Sequence, residues 1–403
     1  MERRTQTVVI GAGQAGLALS YQLVAAGHEH VVLERGRVGQ RWRDRRGTRA
    51  LLTPNWLNRL PGSAPHAHED GFLTIDELVG YFEAHAASFG APIVEGATVL
   101  SVERTGTGFR VRTDRGTWLS ANVVVATGEC ELPSIPAISR GALPAVRQLH
   151  SGAYVSPGTL PSGGILVVGS GPSGQQIALE LARAGRAVTL SVGRHARTPR
   201  RYRGRDIWRW LAAIGELDRT VDDLDDLESA RRSPSLALSG VAGGEELGLD
   251  VLQAAGVQLA GRLLGFDDRR ALFADDLPAT VAEAETRLRR ILERIDACTD
   301  GPAEPLAPIA VPTTPTELDL EQEGITTVIW ATGYRSSYPW LRVRVLNERG
   351  AIVHRRGVTP VAGLYALGLR FQWRRSSHFI GGVGGDAAYL ATHLTETALP
   401  LAA

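Results

Sequence analysis

Two stretches of this 403-residue chain share one spacing of glycines: Gly11, Gly13 and Gly16 in "VVIGAGQAGLAL", and Gly169, Gly171 and Gly174 in "LVVGSGPSGQQI". Each comes after a short apolar run and precedes a segment with helical periodicity. Glycines so placed cradle a pyrophosphate. The first two permit a tight turn and close approach of backbone to phosphate, and the third lets the helix pack on the strand. The helix N-terminus then offers free N–H donors to the anion. Gln14 and Ala15 belong to the first cradle, and Pro172 and Ser173 to the second. "GPSG" is not the G-x-S-x-G of a nucleophile elbow, so Ser173 reads as a phosphate-loop serine.

The two units differ at the end of the strand downstream of each loop. Glu34, then Arg35, closes the strand after the first loop, where a carboxylate accepts hydrogen bonds from ribose hydroxyls. Ser191 holds that place after the second loop, with Arg194 close behind. An acid there repels a 2′-phosphate, whereas serine and arginine accept one. The first site therefore suits the adenosine of FAD or NAD, and the second suits NADPH. The basic run beyond, Arg197 to Arg205, reads equally as a solvated surface.

The elements that must position these residues can be read along the chain. "TVVI", the first glycine turn, "LALSYQLVAAG" and "HVVLE" form a β-α-β unit. In "LTIDELVGYFEAHAASFG", Thr74 and Glu77 are spaced as a capping box at a helix start. A β-meander and a buried strand, "NVVVA", come next. A second unit begins near Ser162 and ends in the strand "AVTLS". Patterning then weakens, except for expected helices in "DRTVDDLDDLESARR" and "ATVAEAETRLRRILERIDA" and a Pro-rich linker, "DGPAEPLAPIAVPTTP". "TTVIWATGYR" repeats "NVVVATGEC" and is expected to return the chain to the first domain.

Composition excludes several classes. All 44 basic residues are arginine, so no lysine base, Schiff base or P-loop is available. A net charge of +1 gives no field for nucleic acid or an anionic membrane. Cys130 and Cys298 form no C-x-x-C pair, which argues against a disulfide scaffold or redox dithiol. The N-terminus lacks the apolar run of a signal peptide and no stretch reaches membrane-spanning length, so a cytoplasmic protein is expected. His66 and His68 lack the further ligands a metal site needs, so no metal is expected.

In order along nearly the whole chain, "GAGQAG", "VVLERG", "GQRW", "VVVATGECELPSIP", "LHSGAY", "VVGSGPSG", "VIWATGY" and "GGVGGDAAYLA" resemble the class B flavin-dependent monooxygenases. The family fingerprint, F-x-G-x-x-x-H with a downstream aromatic, is matched only in its second half. His150 and Tyr154 are present, but Pro144 and Val146 replace Phe and Gly. The resemblance implies two Rossmann-like α/β domains, the NADPH domain inserted into a discontinuous FAD domain: residues 1–155 and 325–403 for FAD, and 156–324, with a helical insertion, for NADPH. It implies that Ala126-Thr127-Gly128 and Ala331-Thr332-Gly333 are interdomain linkers beside cofactor. Trp42 and Arg43 would pack over the FAD pyrophosphate side. Asn55 or Asn58 would supply a catalytic amide, or be ordinary loop asparagines. Asp386 would lie near the flavin at a helix N-terminus, or be a plain N-cap. Trp373, Arg375 and His378 are candidates for a substrate wall.

The function so implied is oxygenation of a small organic substrate at N, S or C by NADPH and O2, through a C4a-(hydro)peroxyflavin, with a homodimer as one expected assembly. The alternatives are an NADPH oxidase or flavin reductase without oxygen transfer, and a non-catalytic NADP(H)-sensing flavoprotein.

Overall fold

Thr7, Val8, Val9 and Ile10 are buried on both faces of their strand, as in a central strand of a parallel sheet covered on each side. The computed structural model describes residues 2–44, 50–106, 108–302 and 305–396. The first unit comprises β1 (Glu2–Ile10), α1 (Gln14–Ala25), β2 (His30–Leu33), α2 (Gln40–Arg43), α3 (Ile75–Ser88), β3 (Ile93–Val94), β4 (Val99–Arg104), β5 (Phe109–Thr113) and β6 (Gly116–Val125). Strands β3, β2, β1 and β6 lie side by side and parallel. On the side away from β1, the long β6 serves two further partners. Its N-terminal half pairs antiparallel with β5 of the meander, and its C-terminal half pairs parallel with Leu364–Ala366 from the far end of the chain. Helix α3 starts at the expected capping box, with Thr74 and Glu77 each bonded to the other's backbone.

The chain leaves through β7 (Leu132–Pro133) and β8 (Arg147–His150), then builds β9 (Gly164–Val168), α4 (Pro172–Arg183) and β10 (Val188–Ser191). An insertion comes next, with the hairpin β11 (Arg201–Tyr202) and β12 (Arg205–Asp206), α5 (Ile207–Ala213), α6 (Leu227–Arg231) and α7 (Leu249–Ala254). The unit closes with β13 (Gln258–Ala260), β14 (Leu263–Asp267), β15 (Arg270–Phe273), α8 (Leu277–Asp296), β16 (Glu317–Asp319) and β17 (Ile325–Trp330). Beyond it lie β18 (Tyr334–Arg335), β19 (Leu364–Ala366) and α9 (Val383–Glu396). The second sheet runs β13-β10-β9-β17-β8, parallel throughout, and reproduces the first sheet's β3-β2-β1-β6-β19 place for place.

That order corrects two expectations. Strand β17 does not return the chain to the first sheet; it sits between β9 and the edge strand β8 of the second. Strand β8 lies before the expected boundary at 155/156 and yet pairs with β17. The second sheet therefore takes in residues 147–150 and 325–330, and the crossing back occurs after Gly333. There β7 and β18 pair antiparallel, so the outgoing and returning connections run bonded to each other. The stretch expected as one helix in "DRTVDDLDDLESARR" is instead a 3-10 turn at Val221–Asp223 and the short α6.

The insertion packs on the first unit. Leu57, Tyr202, Trp208, Leu211 and Leu217 share one apolar cluster with Phe379 against it. Arg200 is 1% exposed, pairs with Asp206 and lies 4.4 Å over the Phe72 ring. Its Nη1 donates to the Leu52 carbonyl at 2.8 Å, and Trp208 Nε1 donates to the same oxygen at 3.2 Å. Much of the basic run is consumed in this way: Arg197 pairs with Glu285 and Arg203 with Asp296. No helix among the described residues is long and apolar enough to cross a membrane.

Candidate functional site

The two glycine loops have the same geometry. Gly11 and Gly169 both hold φ +108°, a conformation that side chains other than glycine's rarely adopt. A Cβ on Gly11 would lie 2.7 Å from the Ala126 carbonyl oxygen, and one on Gly169 would lie 2.6 Å from that of Ala331. Each Ala-Thr-Gly thus begins with a carbonyl pressed on the first glycine of its own unit. A Cβ on Gly16 or Gly174 would meet the first glycine's carbonyl oxygen at 1.9 or 1.8 Å, which fixes the helix against the turn. Gly13 and Gly171 differ: nothing lies within 4 Å of a Cβ there, and both line a cavity.

That cavity, of about 1020 Å³, runs from one loop to the other. Gln14 and Ala15 border it on the first side, and Pro172 and Ser173 on the second. Residues 126–128 and 331–333 form the wall between them. Its volume lies at the top of the roughly 300–1,000 Å³ range of small-molecule and cofactor sites. Glu34 and Arg35 line the end beyond the first loop. Glu34 Oε2 accepts from the Ala12 N–H at 2.8 Å and Oε1 from the Gly36 N–H at 3.0 Å, so the carboxylate is held rigidly at the strand end.

Ser191 behaves otherwise. It is buried, does not line the cavity, and both donates to the Gly261 carbonyl at 3.0 Å and accepts from the Leu263 N–H at 2.9 Å. Its hydroxyl ties β10 to the chain after β13 and is not available to a phosphate. Arg194 does line the cavity, its guanidinium steadied by the Arg232 carbonyl at 2.6 Å. Of the basic run from Arg194 to Arg205, it is the residue that borders the cavity.

The loop after Arg35 divides the expected residues. Residues 45–49 lie outside the described set. Trp42 lines the cavity and donates from Nε1 to Gln14 Oε1 at 3.1 Å. Arg43 turns away, to Glu83 of α3 and the Val38 carbonyl, and is replaced at the cavity by Arg41. Asn55 does not reach the cavity. Its amide donates to the His68 carbonyl and accepts from the Leu73 N–H. Asn58 lines the cavity, but its amide is spent on its own turn: Nδ2 donates to the carbonyls of Thr53 and Pro54, and Oδ1 accepts from the Thr53 hydroxyl. Asp386 is neither an N-cap nor a cavity residue. It lies inside the first turn of α9, 4% exposed. Burial raises its pKa, and the Ser377 hydroxyl and the charges of Arg356 and Arg374 partly offset that.

Glu129 lines the cavity and is not singled out by the sequence, although it comes directly after the first Ala-Thr-Gly. Burial raises its pKa against the opposing Arg370 N–H and the charges of Arg370 and Arg231. His378 lines the cavity as the substrate-wall expectation requires, whereas Trp373 and Arg375 do not border it. Burial and the nearby Arg370 and Arg375 push the His378 imidazole down to about 3, so it is neutral at physiological pH.

These residues fit a pair of dinucleotides. At Gly13 and Gly171 the space a Cβ would take opens into the cavity, where a pyrophosphate needs close approach. Beside the first loop Glu34 retains acceptor capacity for ribose hydroxyls, and beyond the second Arg194 offers charge to a phosphate.

Comparison with known proteins agrees. Residues 8–214 match the family model described as pyridine nucleotide-disulphide oxidoreductase. The chain is 33% identical over 393 residues to an uncharacterized oxidoreductase, CzcO-like, of Geobacillus kaustophilus, covering 97% of this chain and 98% of that one. It is 37% identical over 134 residues to indole-3-pyruvate monooxygenase YUCCA1 of rice, over 32% of this chain and 33% of that one. The fold matches a flavin-containing monooxygenase from Stenotrophomonas maltophilia with a TM-score of 0.66 at 20% identity, over 98% of this chain and 99% of that one. The chain belongs to the pyridine nucleotide-disulphide oxidoreductase family, and it is an oxidoreductase of the kind that works with FAD and NAD(P)H.

Proposed function

We infer that the protein is an FAD- and NADPH-dependent monooxygenase acting on a small organic substrate. The observation that carries this reading is the single cavity joining two equivalent glycine loops, which lets ligands on the two loops meet. Bound together, the cofactors supply hydride transfer from NADPH to flavin and activation of O2. The chain supplies binding, orientation and a dry wall. The first loop and Glu34 hold FAD, and the second loop and Arg194 hold NADPH. Leu51, Leu52, Phe379 and Ile380 give the cavity an apolar stretch of wall, which helps to keep water out. Cys130 lines the cavity without a second cysteine, since Cys298, the chain's other cysteine, does not border it and is exposed. That favours oxygen transfer over dithiol chemistry within one site.

The test is to measure FAD content, then screen amines, sulfides and ketones for stimulated NADPH and O2 consumption, with ¹⁸O2 as the oxygen source. Product carrying ¹⁸O is expected. NADPH oxidation that yields only hydrogen peroxide with every candidate overturns oxygen transfer in favour of an NADPH oxidase.

A further inference from the structure

Glu129 occupies a particular crossing point. It is next in the chain to Gly128, which holds φ +72° at the end of the first Ala-Thr-Gly, and its side chain faces the cavity. Glu129 Oε2 accepts from the Arg370 N–H at 2.8 Å. Two residues before Arg370, Gly368 also lines the cavity and packs on Ala15 at the start of α1, where a Cβ would come within 2.7 Å of the Ala15 Cβ. On its other side Glu129 feels the charge of Arg231, and Pro234 and Ser235 of the insertion complete that part of the lining. The carboxylate is therefore tied to the segment that packs on the first phosphate cradle, in the cavity that both loops border.

We propose that Glu129 is an anchor for a sugar hydroxyl: its carboxylate accepts a hydrogen bond from the polyol of a bound nucleotide, the ribityl chain of FAD or the ribose on the nicotinamide side of NADP(H). The proposal rests on the reading of the two loops as FAD and NADPH sites. Glu34 is its counterpart. Both carboxylates lie beyond the C-terminal ends of parallel strands, β2 and β6, of one sheet, accept a backbone N–H and face the cavity. Charge selects the ligand chemistry. An ammonium would meet the fields of Arg231 and Arg370, and a phosphate would meet the carboxylate itself. A neutral hydroxyl incurs neither penalty and satisfies a lone pair that burial otherwise leaves costly. The Arg370 guanidinium donates from Nη2 to the Ser233 carbonyl at 2.7 Å, and what Glu129 accepts from Arg370 is the backbone N–H.

The experiment uses FAD-loaded protein. FAD release is monitored by fluorescence on dilution, and NADP⁺ binding by the change it causes in the flavin absorbance. Glu129→Ala is expected to weaken one of the two about tenfold or more, and Glu129→Gln, which keeps size and one acceptor oxygen, about threefold. A loss confined to FAD assigns the ribityl chain, and one confined to NADP⁺ assigns the nicotinamide ribose. Weakening of both, graded Gln before Ala at an unchanged melting temperature, supports a hydroxyl anchor shared by the two. Unchanged affinities for both, or equal losses in Gln and Ala with a lowered melting temperature, overturn the proposal. Unsubstituted protein that retains no FAD overturns the cofactor reading and this proposal with it.

Discussion

His150 Nε2 lies 2.8 Å from the carbonyl oxygen of Gly333, which also accepts from the Ser134 N–H at 2.9 Å. His150 Nδ1 accepts from the Gly152 N–H at 3.1 Å, so that nitrogen carries no proton and Nε2 is the donor. Burial lowers the pKa and keeps the ring neutral. One histidine thus pins the end of β8 to the second Ala-Thr-Gly, whose Ala331 carbonyl presses on Gly169. The incomplete fingerprint is locally sufficient, because Val146, where the family has glycine, is absorbed into the apolar face beneath β17.

His150→Ala is expected to cost about 1–3 kcal/mol, the penalty of leaving the Gly152 N–H without its acceptor and removing a donor from Gly333. The KM for NADPH should rise several-fold while FAD content holds, because the disturbed linker presses on the second loop alone. Thermal melting, bound-FAD absorbance and steady-state kinetics check this. Loss of FAD in step with NADPH affinity would refute the local assignment.

Gly13 and Gly171 offer a cleaner separation of fold from binding. A Cβ at either meets no protein atom, so alanine there should leave melting of the cofactor-free chain unchanged. The new methyl would instead stand where a pyrophosphate approaches. Gly13→Ala is expected to reduce FAD retention, and Gly171→Ala to weaken NADPH binding tenfold or more with FAD intact. Gly16→Ala and Gly174→Ala are the contrasting pair, because their methyls strike backbone carbonyls and should destabilise the chain itself.

These loops are legible in sequence because their signal is local: strand, glycine spacing and helix lie within some twenty residues. The Thr74–Glu77 cap is legible for the same reason. Strands β8 and β17 are not, because "VVVATG" and "VIWATG" look alike and only long-range pairing decides which sheet each joins. Arg43 and Arg41 cannot be told apart because α2 has four residues, too few to show a periodicity. Asn55 and Asn58 have the right chemistry, but whether an amide is free or spent on its own turn depends on loop geometry that composition does not encode. Glu129 escapes a reading of the sequence because its meaning comes from Arg370, distant along the chain.

Sequence pairs Ser191 with Arg194 as a 2′-phosphate site, and the structure separates them. Arg194→Ala is expected to lower the preference for NADPH over NADH about tenfold or more, through loss of a charge-assisted contact. Ser191→Ala should leave that preference unchanged and cost about 1–3 kcal/mol, because the buried Leu263 N–H and Gly261 carbonyl lose their partner. Ratios of kcat/KM for the two nucleotides, with denaturant melts, distinguish them. A changed preference in Ser191→Ala would restore the serine to the phosphate site.

His354 gives the pH prediction. Burial, with the Arg231 charge beside it, pushes its imidazole from 6.5 down to about 4, and Nδ1 accepts from the Gly357 N–H. A folded-state pKa below the unfolded one means that the unfolded chain takes up the proton first as pH falls. The stability tied to neutral His354 is therefore whole above about pH 6.5 and is lost progressively down to about pH 4. At pH 5 the loss is on the order of 1–2 kcal/mol, allowing for solvent near a half-buried ring. Glu129 and Asp386, both raised by burial, act in the opposite sense, so the total pH profile mixes the two. The difference between wild type and His354→Gln removes that background. Wild type minus variant should fall as pH is lowered from 7 to 5 in denaturant titrations, and a difference independent of pH would show that the imidazole titrates alike in the folded and unfolded chain, against the shift.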